Sequence, residues 1–321
     1  MSTSALAERV LAGDPRAVAR AISLVDDHAP AAAELVRSLY ARSGRAAVIG
    51  VTGSPGAGKS TLVDRLTAAY RQQGRSVGVL AIDPTSPFSG GAVLGDRVRM
   101  QQHAMDRGVF IRSMATRGHL GGVSRATADA VLILDASGKD IVIVETVGVG
   151  QDEIEIVRMA DISIVVLVPG TGDDVQALKA GIMEIADVFV VNKADRDGAD
   201  RLVSSVEANL ALHTYRPDEW RPPIVKTVAT TGDGLDALLA QIAAFRAQSG
   251  DGPQRRHAQR TEHRIRELMV EGFLQHLGRD VVSEAEMAVL VDRVSRREID
   301  PYQAAQELLT RALATPVRTD A

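Results

Sequence analysis

The clearest chemistry in the chain sits in Gly53-Ser54-Pro55-Gly56-Ala57-Gly58-Lys59-Ser60, followed by Thr61. This run fits G-x-x-x-x-G-K-[ST], a loop whose backbone N–H groups close around the β- and γ-phosphates of a nucleotide. Small residues are required because the backbone itself is the ligand, and Gly53, Gly56 and Gly58 allow the turns and the close approach. Lys59 neutralises phosphate charge, and the Ser60 hydroxyl is suited to Mg²⁺. An ordinary Gly-rich turn would match this pattern by chance in roughly 1% of chains of this length. Ser54 stands early in the loop and no second Lys does, so the deviant loop of partitioning and ion-pump ATPases is set aside.

A second motif, Asn192-Lys193-Ala194-Asp195, follows the apolar run Val188–Val191. A carboxylate at 195 can accept from both N1–H and the exocyclic amine of guanine. Adenine lacks that paired donor edge and would leave the carboxylate unsatisfied. Alone, N-K-x-D is a solvated loop in most proteins; at a strand end behind a phosphate loop it predicts GTP and GDP as ligands. Val228-Ala229-Thr230 is placed to offer backbone contacts to the guanine oxygen. Val228 departs from the Ser frequent there in GTPases, which matters little if the Ala229 N–H makes the contact.

Three carboxylates are candidates for the Mg²⁺ site beside Ser60. Asp83 ends one apolar run, Glu145 ends another, and Asp96 lies beyond Gly90 and Gly91 in a Gly-rich segment. The competing roles are helix capping for Asp83 and Glu145, and simple solvation for Asp96. Gly148 follows Glu145 closely and is placed to give a backbone N–H to the γ-phosphate, so Lys59, Glu145 and Gly148 form the expected hydrolytic set. Val149 occupies the next position, and Gln151 is out of register to orient water. Slow intrinsic turnover, accelerated by a partner, is therefore expected. Gly170–Lys179 reads as a Gly-hinged turn with Asp173 capping a helix.

These residues must be held by a scaffold, and the chain suggests which. Runs rich in β-branched residues recur at Ala47–Thr52, Val77–Ile82, Val109–Ser113, Ile141–Thr146, Ile162–Val168, Val188–Asn192 and Ile224–Val228. Helical segments, among them Ser60–Gln73, Arg125–Ala136 and Val175–Ala186, separate most of them. Unalternating apolar strands joined by crossover helices make a parallel sheet buried on both faces. The expected architecture is an α/β P-loop NTPase fold with a doubly wound, mostly parallel sheet over residues 46–248. Residues 1–45 read as a helical extension of two amphipathic helices, one opened by Asp14-Pro15 and one over Ala31–Tyr40. After a polar hinge at Ala247–Pro253, residues 249–321 carry three helical stripes, with a capping box at Ser283–Glu286 and a cap at Asp300-Pro301. That tail is too small to enclose its stripes, which predicts a homodimer through the C-terminal helices.

Composition narrows the class. The 321 residues are 45% hydrophobic and 24% charged, an ordinary globular balance, with a net charge of −4 that offers no basic excess for nucleic acid. Cys is absent, which excludes disulfides and Cys-ligated metals. No apolar run approaches the ~18 residues of a membrane span, and the first residues lack the apolar core of a secretory signal. A cytoplasmic location is expected.

The phosphate loop together with DPTSPFSGGAVLGDRVRM, RSMATRGHLGGVSRAT, ETVGVGQDE and PGTGDDVQALKAGIMEIADVFVVNKAD resembles the MeaB/ArgK family over nearly the whole chain. The resemblance implies a GTPase chaperone of adenosylcobalamin-dependent methylmalonyl-CoA mutase and related mutases, with a C-terminal dimerisation arm. It further implies that Asp83, Asp96 and Glu145 are the acidic Mg²⁺-site residues and Asp195 the guanine reader. Segment 170–179 would add a partner-sensing switch, with Lys179 available for charge contacts. A nickel-type metal-insertion GTPase is the first alternative, but His28, His103, His119, His213, His257, His263 and His276 are scattered. The family's older label, a kinase of a transport protein, is the second. No D-x-H-x-x-G motif occurs, so cobalamin is expected on the partner.

Overall fold

A computed structural model of the chain describes residues 2–84, 100–103, 105–116, 122–146, 159–170, 185–216, 219–248 and 252–316. These divide into two compact units, Met1–His257 and Ala258–Ala321.

In the first unit the seven apolar runs form seven strands: β1 (Ala47–Gly53), β2 (Val77–Pro84), β3 (Val109–Thr116), β4 (Ile141–Thr146), β5 (Ile162–Leu167), β6 (Val188–Asn192) and β7 (Ile224–Thr227). Their order is β3-β2-β4-β1-β5-β6-β7, and every neighbouring pair is parallel. Every residue of β1, β4, β5 and β6 is buried, as runs without alternation require of a sheet covered on both faces. The chain leaves β1 toward β2 and β3, returns to β4, and then crosses to β5. The strand order therefore reverses at β1, and the crevice at the carboxyl ends of strands on either side of such a point is where ligands bind in open α/β sheets.

Helices cover both faces. On one side α4 (Lys59–Gln72) and α7 (Leu235–Ala247) bury Leu62, Leu66, Leu238 and Ile242 against Ile49, Val51 and Ile164. On the other, α5 (Gly122–Ala136) buries Ala130, Ile133 and Leu134 against Leu80, Val142 and Val144. A shorter cluster joins α6 (Ala199–Leu210) to β5 and β6 through Leu202, Val206 and Phe189.

The N-terminal region corrects the expectation of two helices. It forms three: α1 (Thr3–Leu11), α2 (Pro15–Asp26) and α3 (Ala31–Tyr40). The additional helix α1 is started by Ser2, whose hydroxyl accepts from the Ala5 N–H, and it buries Leu6, Ala7 and Val10. Asp14 caps α2 by accepting from the Arg16 and Ala17 N–H groups, while Arg9 reaches its second oxygen at 2.6 Å. These bonds, led by the one from Arg9, hold the Asp14 carboxyl below its usual range. Val10, Ile22, Leu35 and Leu39 share one core with α5, so the three helices form an outer layer on that helix. Asp135 of α5 fixes the entry to β1: its carboxylate accepts from the Gly44, Arg45 and Ala46 N–H groups.

The second unit contains most of α8 (Gly252–His276), then α9 (Glu284–Ser295) and α10 (Pro301–Ala314). Ser283 and Glu286 form the reciprocal capping box of α9, and Asp300 with Gln303 forms that of α10. Arg311 of α10 donates to the Val281 carbonyl at 2.6 Å. The helix over Val175–Ala186 expected from the sequence falls mostly outside the described residues, as does the centre of the polar hinge.

Candidate nucleotide site

β1 ends at Gly53, and the chain turns over its own sheet before entering α4. Gly53 has φ +138°, and a Cβ there would stand 2.1 Å from the Val166 carbonyl oxygen. Gly58 has φ +87° and directly precedes α4; a Cβ there would meet the Asn192 amide at 2.5 Å. Both positions therefore exclude any other residue. The residue before α4, Gly58, has no side chain to cap its first turn, so the N–H groups from Lys59 onward face the end of the loop with the positive pole of the helix behind them. Lys59 is buried, and its ammonium donates to the Gly53 and Ser54 carbonyls at 2.7 and 3.0 Å, which holds the charge inside the loop.

Glu145 ends β4 in register with Val51 of β1 and Ala81 of β2, at the centre of the sheet. It is 1% exposed. The Ser60 hydroxyl donates to its Oε1 at 2.7 Å. Next to it, Thr146 donates to Thr52 at 3.0 Å, tying β4 to β1 behind the loop. The pair Ser60–Glu145 offers hard oxygen donors only, and Ser60 keeps its lone pairs while its O–H donates to the carboxylate. Those are the donors that Mg²⁺ prefers. Asp83 lies in β2 opposite Ala115 of β3, at the same end of the sheet, but its side chain is outside those described. Asp96, Gly148 and most of the 170–179 segment also lie outside the described residues.

The N-K-x-D motif closes against the phosphate loop. Asn192 is 2% exposed, and its amide donates to the Ala57 carbonyl at 2.8 Å. Lys193, in the left-handed region at φ +56°, sends its ammonium to the Gly56 carbonyl at 2.8 Å. Asp195 follows with its carboxylate exposed. The motif thus divides its work: Asn192 and Lys193 brace the phosphate loop, and Asp195 presents its charge outward. Asn192 also joins the end of β7, where its Oδ1 accepts from Thr227 Oγ1 and from the Ala229 N–H, both at 3.1 Å. Here the Ala229 N–H, expected from the sequence to face guanine, is engaged by Asn192. Val228 is half-buried and Thr230 exposed beside it.

Two contributors escape a sequence reading. Thr227 stands opposite Asn192 in the β6–β7 register, a relation visible only once those strands are known to pair. Arg65 of α4 donates to the carbonyls of Ala229 and Thr230. Nothing in its sequence context marks it apart from other helix arginines.

Comparison with known proteins gives the family. Residues 18–281 match the family model described as "Methylmalonyl Co-A mutase-associated GTPase MeaB". The chain is 38% identical to the GTPase ArgK of Escherichia coli over 279 residues, covering 84% of each protein. It is 34% identical over 266 residues to the mitochondrial methylmalonic aciduria type A homolog of Mus musculus, covering 81% of this chain and 64% of that one. Among solved structures, that of a LAO/AO transport system kinase superposes with a TM-score of 0.71 at 27% identity, covering 96% of both chains. A P-loop braced by N-K-x-D on a seven-stranded parallel sheet, in a chain matched by that family model over most of its length, places the protein in the MeaB family of GTPases.

Proposed function

We propose that the protein hydrolyses GTP as a chaperone of an adenosylcobalamin-dependent acyl-CoA mutase of the methylmalonyl-CoA type, acting in the cytoplasm to load or protect the mutase's cofactor. The observation that carries the reading is the Asn192 bridge, which joins the phosphate loop to the base-reading motif in a member of a mutase-associated GTPase family. Gly53–Thr61 hold the phosphates, Asp195 reads the guanine edge, and Val228–Thr230 line its oxygen. Ser60 and Glu145 hold Mg²⁺, with Asp83 and Asp96 as further carboxylates. When bound, Mg²⁺ offsets charge on the β- and γ-phosphates. Lys59 adds a fixed positive charge beside them, and the Gly148 N–H would follow the γ-phosphate and report its loss. With Val149 after Gly148, turnover by the chain alone is slow.

Adding the client mutase should raise GTP turnover by at least about 10-fold, measured as inorganic phosphate released. An unchanged rate, with no complex seen by light scattering, overturns the chaperone reading. The likeness to a solved transport system kinase supports a second reading, phosphoryl transfer to a transport protein. In that case the label of γ-labelled nucleotide ends on protein and not in free phosphate.

Homodimerisation belongs to the same proposal. In the second unit α9 has no buried residue. Met269, Val270 and Leu274 of α8, Val289 of α9 and Leu313 of α10 are each 59% or more exposed. Apolar side chains exposed in this way support an interface with a second copy. The full chain should run near twice 34.1 kDa by light scattering, and removal of residues 254–321 should leave a GTP-binding monomer. A full-length monomer at micromolar concentration contradicts the dimer without touching the GTPase assignment.

A further inference from the structure

We propose that Arg65 is a positioning residue for guanine recognition, acting by fixing the backbone of Ala229 and Thr230. The proposal rests on the reading of Val228–Thr230 as the wall facing the guanine oxygen. Arg65 is half-buried on α4, the helix that the phosphate loop opens into. Its Nε donates to the Ala229 carbonyl at 3.1 Å, and its Nη2 donates to the Thr230 carbonyl. One guanidinium thus holds two successive peptide units with its planar fork, a geometry that an ammonium cannot reproduce.

The rest of the 228–234 turn is held by bonds within itself. Thr231 and Gly232 N–H groups donate to the Val228 carbonyl, Val228 N–H donates to the Asp233 carbonyl, and Thr231 Oγ1 donates to Asp233. Those bonds fix the far side of the turn and leave residues 229 and 230 to be located from outside. Two groups do so from opposite directions. Asn192 Oδ1 accepts the Ala229 N–H, and Arg65 supplies donors to the carbonyls. Since Asn192 also donates to Ala57, the contacts close a ring: phosphate loop, Asn192, Ala229, Arg65, α4 and back to the phosphate loop. The ring sets the distance between the wall at the base and the loop at the phosphates from the same helix. A shift of the Ala229–Thr230 peptide, whose carbonyl Arg65 holds, by a fraction of an ångström matters to a hydrogen bond from its N–H, whose strength falls steeply with angle and distance. Arg65 therefore tunes recognition of the oxygen at C6 and has no role at the amine edge read by Asp195.

Two nucleotide analogues separate these edges. 6-Thioguanosine diphosphate keeps N1–H and the 2-amine but carries a weak sulfur acceptor at C6. Inosine diphosphate keeps the oxygen and lacks the amine. The full-length protein and its Arg65→Ala and Arg65→Lys variants are titrated with GDP and both analogues, with thermal melting as the check on folding. Arg65→Ala should bind GDP about 10-fold more weakly. Its preference for GDP over the 6-thio analogue should fall to within about twofold of unity, while its preference for GDP over inosine diphosphate stays at the wild-type value. Arg65→Lys, able to reach one carbonyl, should fall between. A folded variant whose two preferences both match wild type, whatever its melting temperature, reduces Arg65 to a structural contact and overturns the proposal. Equal loss of both preferences overturns it as well, because the site has then collapsed as a whole. If Arg65→Ala fails to fold, Arg65→Lys decides by the same ratios. If the wild type itself shows no preference for GDP over the 6-thio analogue, it is the reading of Val228–Thr230 that fails, and Arg65 falls with it. Equal wild-type affinity for GDP and ADP would instead defeat the guanine assignment itself.

Discussion

Asp195→Asn is expected to weaken GTP binding on the order of 100-fold, the loss of two charge-assisted hydrogen bonds at a partly solvated edge. The variant should gain affinity for xanthosine triphosphate. Xanthine carries an oxygen where guanine has its amine, and an Asn amide can donate to that oxygen while its carbonyl accepts from N1–H. Folding should be unaffected. The Asp195 carboxylate is exposed, and it takes no part in the bonds through which Asn192 and Lys193 brace the phosphate loop. Titration with both nucleotides checks the exchange. A variant that loses GTP without gaining the xanthine nucleotide would mean that Asp195 acts through the loop and not on the base.

Glu145→Gln should depress Mg²⁺-dependent GTP hydrolysis by at least about 10-fold while the melting transition shifts little. An amide of the same shape can still accept from the Ser60 hydroxyl, so the 2.7 Å contact and the β4 register survive. What disappears is the negative charge at the end of β4, beside the residue that would share the cation. The deficit should deepen as Mg²⁺ is lowered, because a weakened site saturates later. Wild-type turnover at every Mg²⁺ concentration would return Glu145 to the role of a strand-end group fixing the start of α4.

The parts of this structure legible in the sequence are those where one physical requirement dominates. Runs such as Ile141–Thr146 and Val188–Asn192 are apolar at nearly every position because both faces of a central parallel strand are covered, and all seven such runs form strands. The phosphate loop is legible because the chain is crowded there: a Cβ would strike the Val166 backbone at Gly53 and the Asn192 side-chain amide at Gly58. Helix α1 is not legible, because its buried stripe is only Leu6, Ala7 and Val10, too short to stand out in an Ala-rich segment. Its stability comes from packing on the layer over α5, which local pattern does not report. The bracing of the turn after β7 is hidden for a different reason. Thr227 and Arg65 act through contacts set by strand register and helix placement, and their spacing from the motif they serve carries no signal.

The division of labour within N-K-x-D links fold to function. Asn192 contributes one amide to three elements, accepting from Thr227 and Ala229 and donating to Ala57, while itself almost wholly buried. A buried amide so fully engaged couples the G-x-x-x-x-G-K-S loop to the end of β7, and on the proposed reading that couples the phosphate site to the base site. A nucleotide must satisfy both ends together, which favours a guanine nucleotide over free phosphate or a bare base.

Equilibrium titration of the unmodified full-length chain with Mg²⁺·GDP and Mg²⁺·ADP, at the same ionic strength, tests the guanine-nucleotide site most directly. The proposed reading of the guanine edge by Asp195 predicts binding of GDP at least about 100-fold tighter than ADP. Equal affinity for the two would contradict it.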